Sequence, residues 1–221
     1  MSSKPRATPP VASRLYANQP YSLWTMSDTA SELGRSADMP EAVRLAGSLV
    51  KLKDTVMHVE DGVGDINRAG WQAFTDINRW IGRVHDEIVR QHDAGVIDAY
   101  ELHMVLGQMA TALHAKIEDL LTRIDKTYVH TTLGLQQASE VRRDALEVHA
   151  ELTKRRDDRS MAQKMRETWS RAVQKTDEHL KNVLKVKQAT NDLQAQLRNL
   201  RGHLKLYTSN ADNFKSEINA M

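Results

Sequence analysis

Proline is almost confined to the N-terminal end of the chain, and none follows Pro40. Proline breaks helices at interior positions and is frequent in loops, so about 180 residues without one argue against a loop-rich or sheet-rich fold. Pro40 itself suits the first turn of a helix, where a missing N–H costs no hydrogen bond. We therefore predict an all-α fold from Pro40 onward.

Apolar residues recur every three or four positions along most of this stretch, which is the pattern of a helix that buries one face. Three such rows cover the chain, and a heptad seam fits the last of them to its end. The strongest run of that seam contains Leu193, Leu197, Leu200, Leu204, Tyr207, Phe214 and Ile218. Because an apolar row of this length must be covered, we predict that these residues mediate self-association.

Three interruptions divide the pattern into helical arms. The glycines of Gly62-Val63-Gly64 predict a turn or a bend. Gly95 predicts a helix end, and Asp98 followed by Glu101 predicts the next helix start as a capping box. The polar run 154–160 is the remaining candidate for a reversal, with a continuous helix as the alternative. The expected arms are 39–93, 98–155 and 160–221.

Three arms of similar length predict an elongated antiparallel three-helix bundle, or coiled coil, with residues 39–221 as a single domain. Residues 1–38 hold four of the five prolines, and we predict a flexible N-terminal arm there. An apolar patch interrupts this arm. Docking on the body of the protein is its simpler interpretation, and insertion into a partner or a membrane is the alternative. The patch consists of Tyr21, Leu23, Trp24 and Met26.

The charge balance limits the classes of partner. Thirty-one Lys and Arg against 29 Asp and Glu give a net charge of +2, which is too small for binding nucleic acid by bulk charge. No apolar run approaches the roughly 18 residues that a transmembrane helix needs, and the N-terminus lacks the apolar core of a secretory signal. We expect a soluble, cytoplasmic protein, with a peripheral position at a membrane as the alternative.

The residue types that carry catalysis and metal binding occur without the spacing that such sites need. The chain has no cysteine, which excludes thiolate metal sites and cysteine nucleophiles. No two of its nine histidines are three or four positions apart, so the helical zinc-binding pattern is missing from the sequence. We predict no catalytic, cofactor-binding or metal site and no enzymatic activity.

Large aromatic residues cluster in the second half of the first arm. Trp71 and Phe74 are neighbours on one helical face, and Trp80 lies away from it. Core anchoring is the simpler interpretation, and an exposed patch for a partner protein is the alternative.

Basic residues gather near the predicted reversal, among them Lys154, Arg155, Arg156 and Arg159. An ordinary solvated helical face is their simplest interpretation, and anionic membrane headgroups are the first alternative. Together with the three long arms and the N-terminal patch, this cluster resembles the layout of a BAR domain. The resemblance implies a homodimer of three-helix coiled coils that binds and curves membranes, with these four residues as contacts. Trp24, from the patch, is a further candidate for membrane or partner contact.

We interpret the chain as a non-enzymatic, self-associating helical scaffold that acts through protein–protein contacts along its coiled-coil helices. Its expected partner is a second copy, in the first instance as a dimer, or another coiled-coil protein. BAR-like binding of anionic membranes is one alternative. The polar N-terminus, the lack of cysteine and the terminal coiled coil also resemble helical filament and tip proteins of bacterial secretion machines. That resemblance implies a structural component of such an apparatus as the other alternative.

Overall fold

The computed structural model describes residues 19–36, 39–95, 98–157 and 163–220. Within these residues the chain forms four helices and no strand, which confirms the all-α prediction for the described part of the chain. None of the described helices is both long enough and apolar enough to cross a membrane. The helices are α1 (Gln19–Ser36), α2 (Pro40–Asp93), α3 (Ala99–Asp157) and α4 (Gln163–Ala220).

Helix α1 lies within residues 1–38, where the sequence predicted a flexible arm. Its apolar side chains Leu23 and Met26 are 1% and 3% exposed, as expected for a docked patch. The hydroxyl of Ser27 donates a hydrogen bond to the carbonyl oxygen of Ala46 in α2, at 3.2 Å. Burial of one face stabilises this Ser- and Thr-rich helix despite its modest intrinsic propensity. The structure thus differs from the predicted arm over α1, and the rest of the arm lies outside the described residues.

The chain divides into two compact units. The first contains Met1–Asp61 with Val129–Ala195, and the second contains Gly62–Tyr128 with Gln196–Met221. Helices α2, α3 and α4 each contribute one segment to each unit, whereas α1 belongs to the first unit alone.

The core of the first unit follows the apolar rows that the spacing predicts. The row in α2 is at most 2% exposed and contains Leu45, Leu49, Leu52, Val56 and Val59. The row in α3 is at most 1% exposed and contains Ala138, Val141, Ala145, Val148 and Leu152. Helical periodicity therefore locates this core correctly.

Buried threonines interrupt the apolar seam of α4 in the first unit. Thr176 and Thr190 are 4% and 2% exposed. Each hydroxyl donates a hydrogen bond to the carbonyl oxygen one turn earlier in its own helix, Thr176 to Ala172 at 2.9 Å and Thr190 to Val186 at 2.8 Å. The seam accepts these polar residues because their hydroxyls are paired locally and leave a methyl group for the core.

Contacts within the first unit have a regular order. Residue numbers rise along one helix as they fall along its neighbour. Between α2 and α3 the pairs are Ser48 with Asp144, at 2.7 Å, and the rings of His58 and His130, whose centroids are 5.4 Å apart. Between α3 and α4 the pairs are Ser139 with Lys187, at 3.2 Å, and Thr132 with Gln194, at 2.9 Å.

The second unit shows the same order of contacts within itself, but with more ion pairs. Its buried apolar residues are Ile66, Ala73, Ala110, Ile117, Leu120, Leu121, Ile124, Leu197 and Ala211. Ion pairs join α3 to both neighbours: Asp76 with Lys116 at 3.1 Å, Arg90 with Glu101 at 2.6 Å, and Asp125 with Arg201 at 2.6 Å. The imidazole of His114 also contacts the carboxylate of Asp212, at 3.1 Å.

The sequence predicted a turn or a bend at Gly62-Val63-Gly64. Gly62 lies in an uninterrupted helical stretch, so the turn is absent and the bend stays a prediction. A Cβ atom on Gly62 would lie 2.4 Å from the hydroxyl oxygen of Thr127 in α3. Such a distance is far inside van der Waals contact, so glycine is needed here for close approach of two helices. A Cβ on Gly64, by contrast, has no described atom within 4 Å.

The connection between α2 and α3 matches the predicted helix end and start. Gly95 has a left-handed backbone, with φ of 65°. The carboxylate of Asp98 accepts hydrogen bonds from the backbone N–H groups of Tyr100, at 2.9 Å, and Glu101, at 3.1 Å. The predicted capping box is only half formed, because the side-chain oxygen of Gln91, and not that of Glu101, accepts the N–H of Asp98, at 2.9 Å.

Replacement of Asp98 with alanine is expected to lower the free energy of unfolding by about 1 kcal/mol, because two backbone N–H groups lose their acceptor. Chemical denaturation followed by circular dichroism measures the change. Asp86→Ala is the matched control, since Asp86 is an exposed carboxylate whose described contact is to its neighbour His85. Equal stabilities of the two variants would contradict the capping role.

Residues 158–160 of the predicted reversal lie outside the described residues, but the helices on either side of it are not parts of one continuous helix. The guanidinium of Arg155 lies 5.7 Å from the ring centroid of Trp169. A single helix would separate these two residues by about 21 Å, so the continuous-helix alternative is wrong. Helix α3 ends at Asp157 and α4 begins at Gln163.

Candidate interaction surface

The predicted self-association row of α4 divides into a buried part and an exposed part. Leu193 and Leu197 are 3% and 4% exposed, so the chain itself covers them and a second copy cannot reach them. Leu204 is half-buried, Leu200 is exposed, and Tyr207 is 61% exposed. The side chains of Phe214 and Ile218 lie outside the described part of the structure. Burial does not end at Leu197, because Ala211, which continues the same spacing, is 7% exposed.

The basic cluster near the end of α3 is largely paired with carboxylates. Arg155 forms an ion pair with Glu151 at 2.9 Å, and Arg156 forms one with Asp157 at 2.9 Å. These hydrogen bonds hold the pKa of Glu151 and of Asp157 below the ordinary values for such carboxyls. Lys154 is exposed, whereas Arg159 lies outside the described residues. The described cluster therefore presents much less unpaired positive charge than its sequence indicates.

Trp24 is the remaining predicted contact residue. Its side chain is 50% exposed, although the neighbouring patch residues Leu23 and Met26 are buried. Part of the indole thus stays accessible on the outer side of α1. The side chain of Tyr21 lies outside the described residues.

The largest exposed apolar side chains of the second unit lie on α2. Trp71 is 71% exposed and Phe74 is 57% exposed, with their ring centroids 6.2 Å apart. The core-anchoring interpretation is therefore wrong for these two rings. Trp80 is half-buried, and the guanidinium of Arg83 lies over its ring, 5.0 Å from the ring centroid.

The exposed row continues along α2 beyond the aromatic pair. Ile81 is 55% exposed and Ile88 is 50% exposed. Asn78 and His85, which are also exposed, complete a series with alternating spacings of three and four. We call this row the α2 seam; it contains Trp71, Phe74, Asn78, Ile81, His85 and Ile88.

The sequence predicted an exposed patch at Trp71 and Phe74 only as an alternative, and that patch did not extend along the helix to Ile88. Ile66, Ile77 and Ile88 recur every eleven residues, yet Ile66 is 7% exposed, Ile77 is half-buried and Ile88 is exposed. Eleven residues rotate an ideal helix by about 20° beyond three full turns, so two repeats move Ile88 out of the core. The spacing of the seam itself was a signal that could have located it.

A cavity of about 240 Å³ lies beside the seam, between α2 and α3, and its lining is mainly apolar: Ile77, Trp80, Ile81, Met109, Ala112 and Leu113. An ion pair between Asp76 and Lys116 borders it. The hydrogen bond from Lys116 holds the pKa of Asp76 below its ordinary value. The cavity has room for one large apolar side chain.

A second cavity, of about 280 Å³, lies in the first unit and is lined by α1, α2, α3 and α4. His179 is partly buried at its wall, and this burial lowers the pKa of its imidazole from the ordinary 6.5. Glu178 opposes the shift and Lys175 adds to it. The folded chain therefore holds His179 neutral at a pH where the unfolded chain protonates it.

A pH dependence follows from the lowered pKa of His179. Stability should be fully present above about pH 6.5 and should fall with decreasing pH, because the unfolded state binds the proton more readily. The His179→Gln variant should lose less stability than the natural chain between pH 7.5 and pH 5. Thermal unfolding of both proteins at the two pH values measures the difference, and equal losses would contradict the assignment.

Metal ligands do not converge anywhere in the described residues, where no group of three or more histidine, aspartate or glutamate side chains could hold an ion. The closest histidine pair, His58 and His130, has no third ligand there. No known relative assists the interpretation either: no protein-family model matches the chain, and neither does a curated protein or a solved structure. The exposed apolar surfaces of the chain are therefore its main indication of function.

Proposed function

We propose that the chain is a non-enzymatic, self-associating helical scaffold that acts through protein–protein contacts along its helices. One observation carries this proposal: the second unit exposes large apolar side chains on both α2 and α4. Trp71 and Phe74 represent α2, while Leu206 and Tyr207, 65% and 61% exposed, represent α4. Large apolar side chains that lie side by side on the surface, as Trp71 and Phe74 do with ring centroids 6.2 Å apart, mark protein-binding sites in soluble proteins.

The architecture that suits this role is an elongated antiparallel three-helix bundle built from α2, α3 and α4. The regular order of contacts inside each unit supports it. The residue numbers of two contacting residues become closer as the contact lies nearer to the connection between their helices. Short connections between long helices favour antiparallel neighbours. A bundle of this kind buries one stripe of each helix and leaves the opposite stripes available to a partner.

Membrane binding of the BAR type has less support. A membrane-binding tip needs unpaired basic side chains, and Arg155 and Arg156 are already paired with Glu151 and Asp157. Sedimentation with phosphatidylserine vesicles at two salt concentrations tests this alternative. Salt-sensitive binding that is lost when Lys154, Arg155 and Arg156 are changed to glutamate would favour it over the scaffold.

Self-association can be tested by mixing two copies that carry different affinity tags. After co-expression, capture of one tag should retain the other copy in a stoichiometric amount. An unrelated helical protein with the second tag is the control for non-specific capture. Failure of the two copies to co-purify would contradict the proposed self-association.

A further inference from the structure

Charged residues occupy only one side of α2 in the second unit. At 100° per residue, the charged side chains between positions 62 and 90 fall within a sector of about 100°. They are Asp65, Arg68, Asp76, Arg79, Arg83, Asp86, Glu87 and Arg90. Intramolecular packing uses a second sector, where Ile66 and Ala73 are 7% and 5% exposed. The α2 seam lies in a third sector that is neither charged nor buried.

The seam has the spacing of a coiled-coil interface. Its four apolar members are 50–71% exposed, and they alternate with Asn78 and His85 at steps of three and four. A surface helix in contact with water alone usually carries charged residues on such a face. In coiled coils, a polar residue such as asparagine at a core position fixes the register of the partner helix.

Glycines flank the seam where intramolecular packing does not require them. Added Cβ atoms on Gly64, Gly70 and Gly82 would meet no described atom within 4 Å. A helical glycine is less stable than alanine at the same position, and here the described residues offer no close contact in return. Gly62 differs from these three glycines, because an added Cβ there would collide with Thr127 of the same unit. The open glycines would let the backbone of another helix approach closely.

The exposed area is sufficient for a pair of copies. From the exposed fractions of Trp71, Phe74, Ile81, Ile88 and Val89, the seam and its flank present about 500 Å² of side-chain surface. Two such surfaces together bury about 1,000 Å², which is where specific interfaces begin. The adjacent cavity of about 240 Å³ adds a hole for one large side chain.

We propose that the α2 seam binds the same seam of a second copy of this chain. This proposal rests on the proposed self-association and assigns it to one surface. An uncharged face offers no complement to a charged partner, whereas a second copy brings an equally uncharged face and the same open glycines. A two-fold pairing also brings the Asn78 side chains close together, so that each amide can bond to the other.

The decisive variant introduces charge into the seam through Phe74→Glu combined with Ile88→Glu. Both side chains are at least half exposed, so the fold should persist and circular dichroism should stay unchanged. The dissociation constant of the dimer should rise at least about 100-fold, because four carboxylates would be buried per dimer. Met104→Glu is the matched control, since Met104 is an apolar side chain that is 45% exposed on α3 of the same unit. It should leave the dimer intact.

Light scattering of the three proteins separates the outcomes. A dimeric natural chain, a monomeric seam variant and a dimeric control support the proposal. A seam variant that remains dimeric overturns the assignment to α2 and leaves self-association standing. A natural chain that is monomeric at every concentration overturns self-association itself, and the seam pairing with it.

Crosslinking decides the matter if the seam variant fails to fold. The chain has no cysteine, so single-cysteine variants report on one position each. The Asn78→Cys variant places its thiol on the α2 seam, and the Asp86→Cys variant places its thiol on the charged side of α2. A short thiol-specific crosslinker should join two copies through position 78 and not through position 86. Crosslinking at position 86 alone, or at neither position, would overturn the proposal.

Discussion

Replacing Leu52 with alanine is expected to lower the free energy of unfolding by about 2–5 kcal/mol. The side chain is 0% exposed in the middle of the α2 row of the first unit. Its removal loses the transfer free energy of three carbon atoms and leaves a cavity between helices, which close packing cannot fill without strain. Chemical denaturation followed by circular dichroism measures the effect.

Leu146→Ala is the matched control for Leu52→Ala. Leu146 belongs to the same unit and is 48% exposed, so the same atoms are removed with little change in packing. Its expected loss is below about 1 kcal/mol. Equal losses for the two variants would mean that the periodic row of α2 is not the core, and would contradict the architecture.

Replacing Gly62 with alanine should destabilise the chain, although alanine is the better helix former. The new Cβ would lie 2.4 Å from the hydroxyl oxygen of Thr127, which donates a hydrogen bond to the carbonyl oxygen of Arg123 at 2.9 Å. Relief of the contact requires Thr127 to rotate and lose that bond, or the helices to separate. Overpacking of this kind costs about 1–3 kcal/mol.

Gly64→Ala provides the opposite result in the same helix. No described atom lies within 4 Å of its added Cβ, so at concentrations where the chain is monomeric the substitution should stabilise it by about 0.5–1 kcal/mol. Both variants gain this contribution, so their free energies of unfolding should differ by the overpacking cost alone, about 1–3 kcal/mol. Thr127→Ala should restore part of the stability of the Gly62→Ala variant in a double-mutant cycle. A stabilising Gly62→Ala would disprove the close contact.

Periodicity located the core of the first unit because burial and spacing have the same physical cause there. Leu52 and Val141 recur at helical intervals and are both 0% exposed. The same argument was insufficient for Tyr207, which continues the heptad spacing of Leu193 but is exposed. Spacing identifies the residues that share a helix face, and helix rotation then decides whether that face remains against a neighbour.

The structural role of a glycine was hard to predict, because glycine allows both close contact between helices and a left-handed backbone. Gly95 adopts a left-handed backbone at a helix end, which the capping residues that follow it in sequence predicted. Gly62 instead allows close contact between helices, and that role depends on Thr127, 65 residues away in sequence. Local sequence does not contain that information.

The candidate site was only partly predictable from sequence. Spacing alone predicts that Trp71 and Phe74 are neighbours, but it does not reveal whether a helix of the same chain covers them. The charged cluster showed the reverse problem, since Glu151 and Asp157 neutralise the residues that suggested a membrane contact. Burial and charge pairing both depend on which residues are neighbours in space, and those neighbours are known only from the folded structure.

Sedimentation equilibrium of the unmodified chain over a dilution series tests self-association most directly. The chain has a mass of 25.0 kDa, and the proposal predicts a species of twice that mass that dissociates on dilution. A single species of 25.0 kDa at every concentration would contradict it.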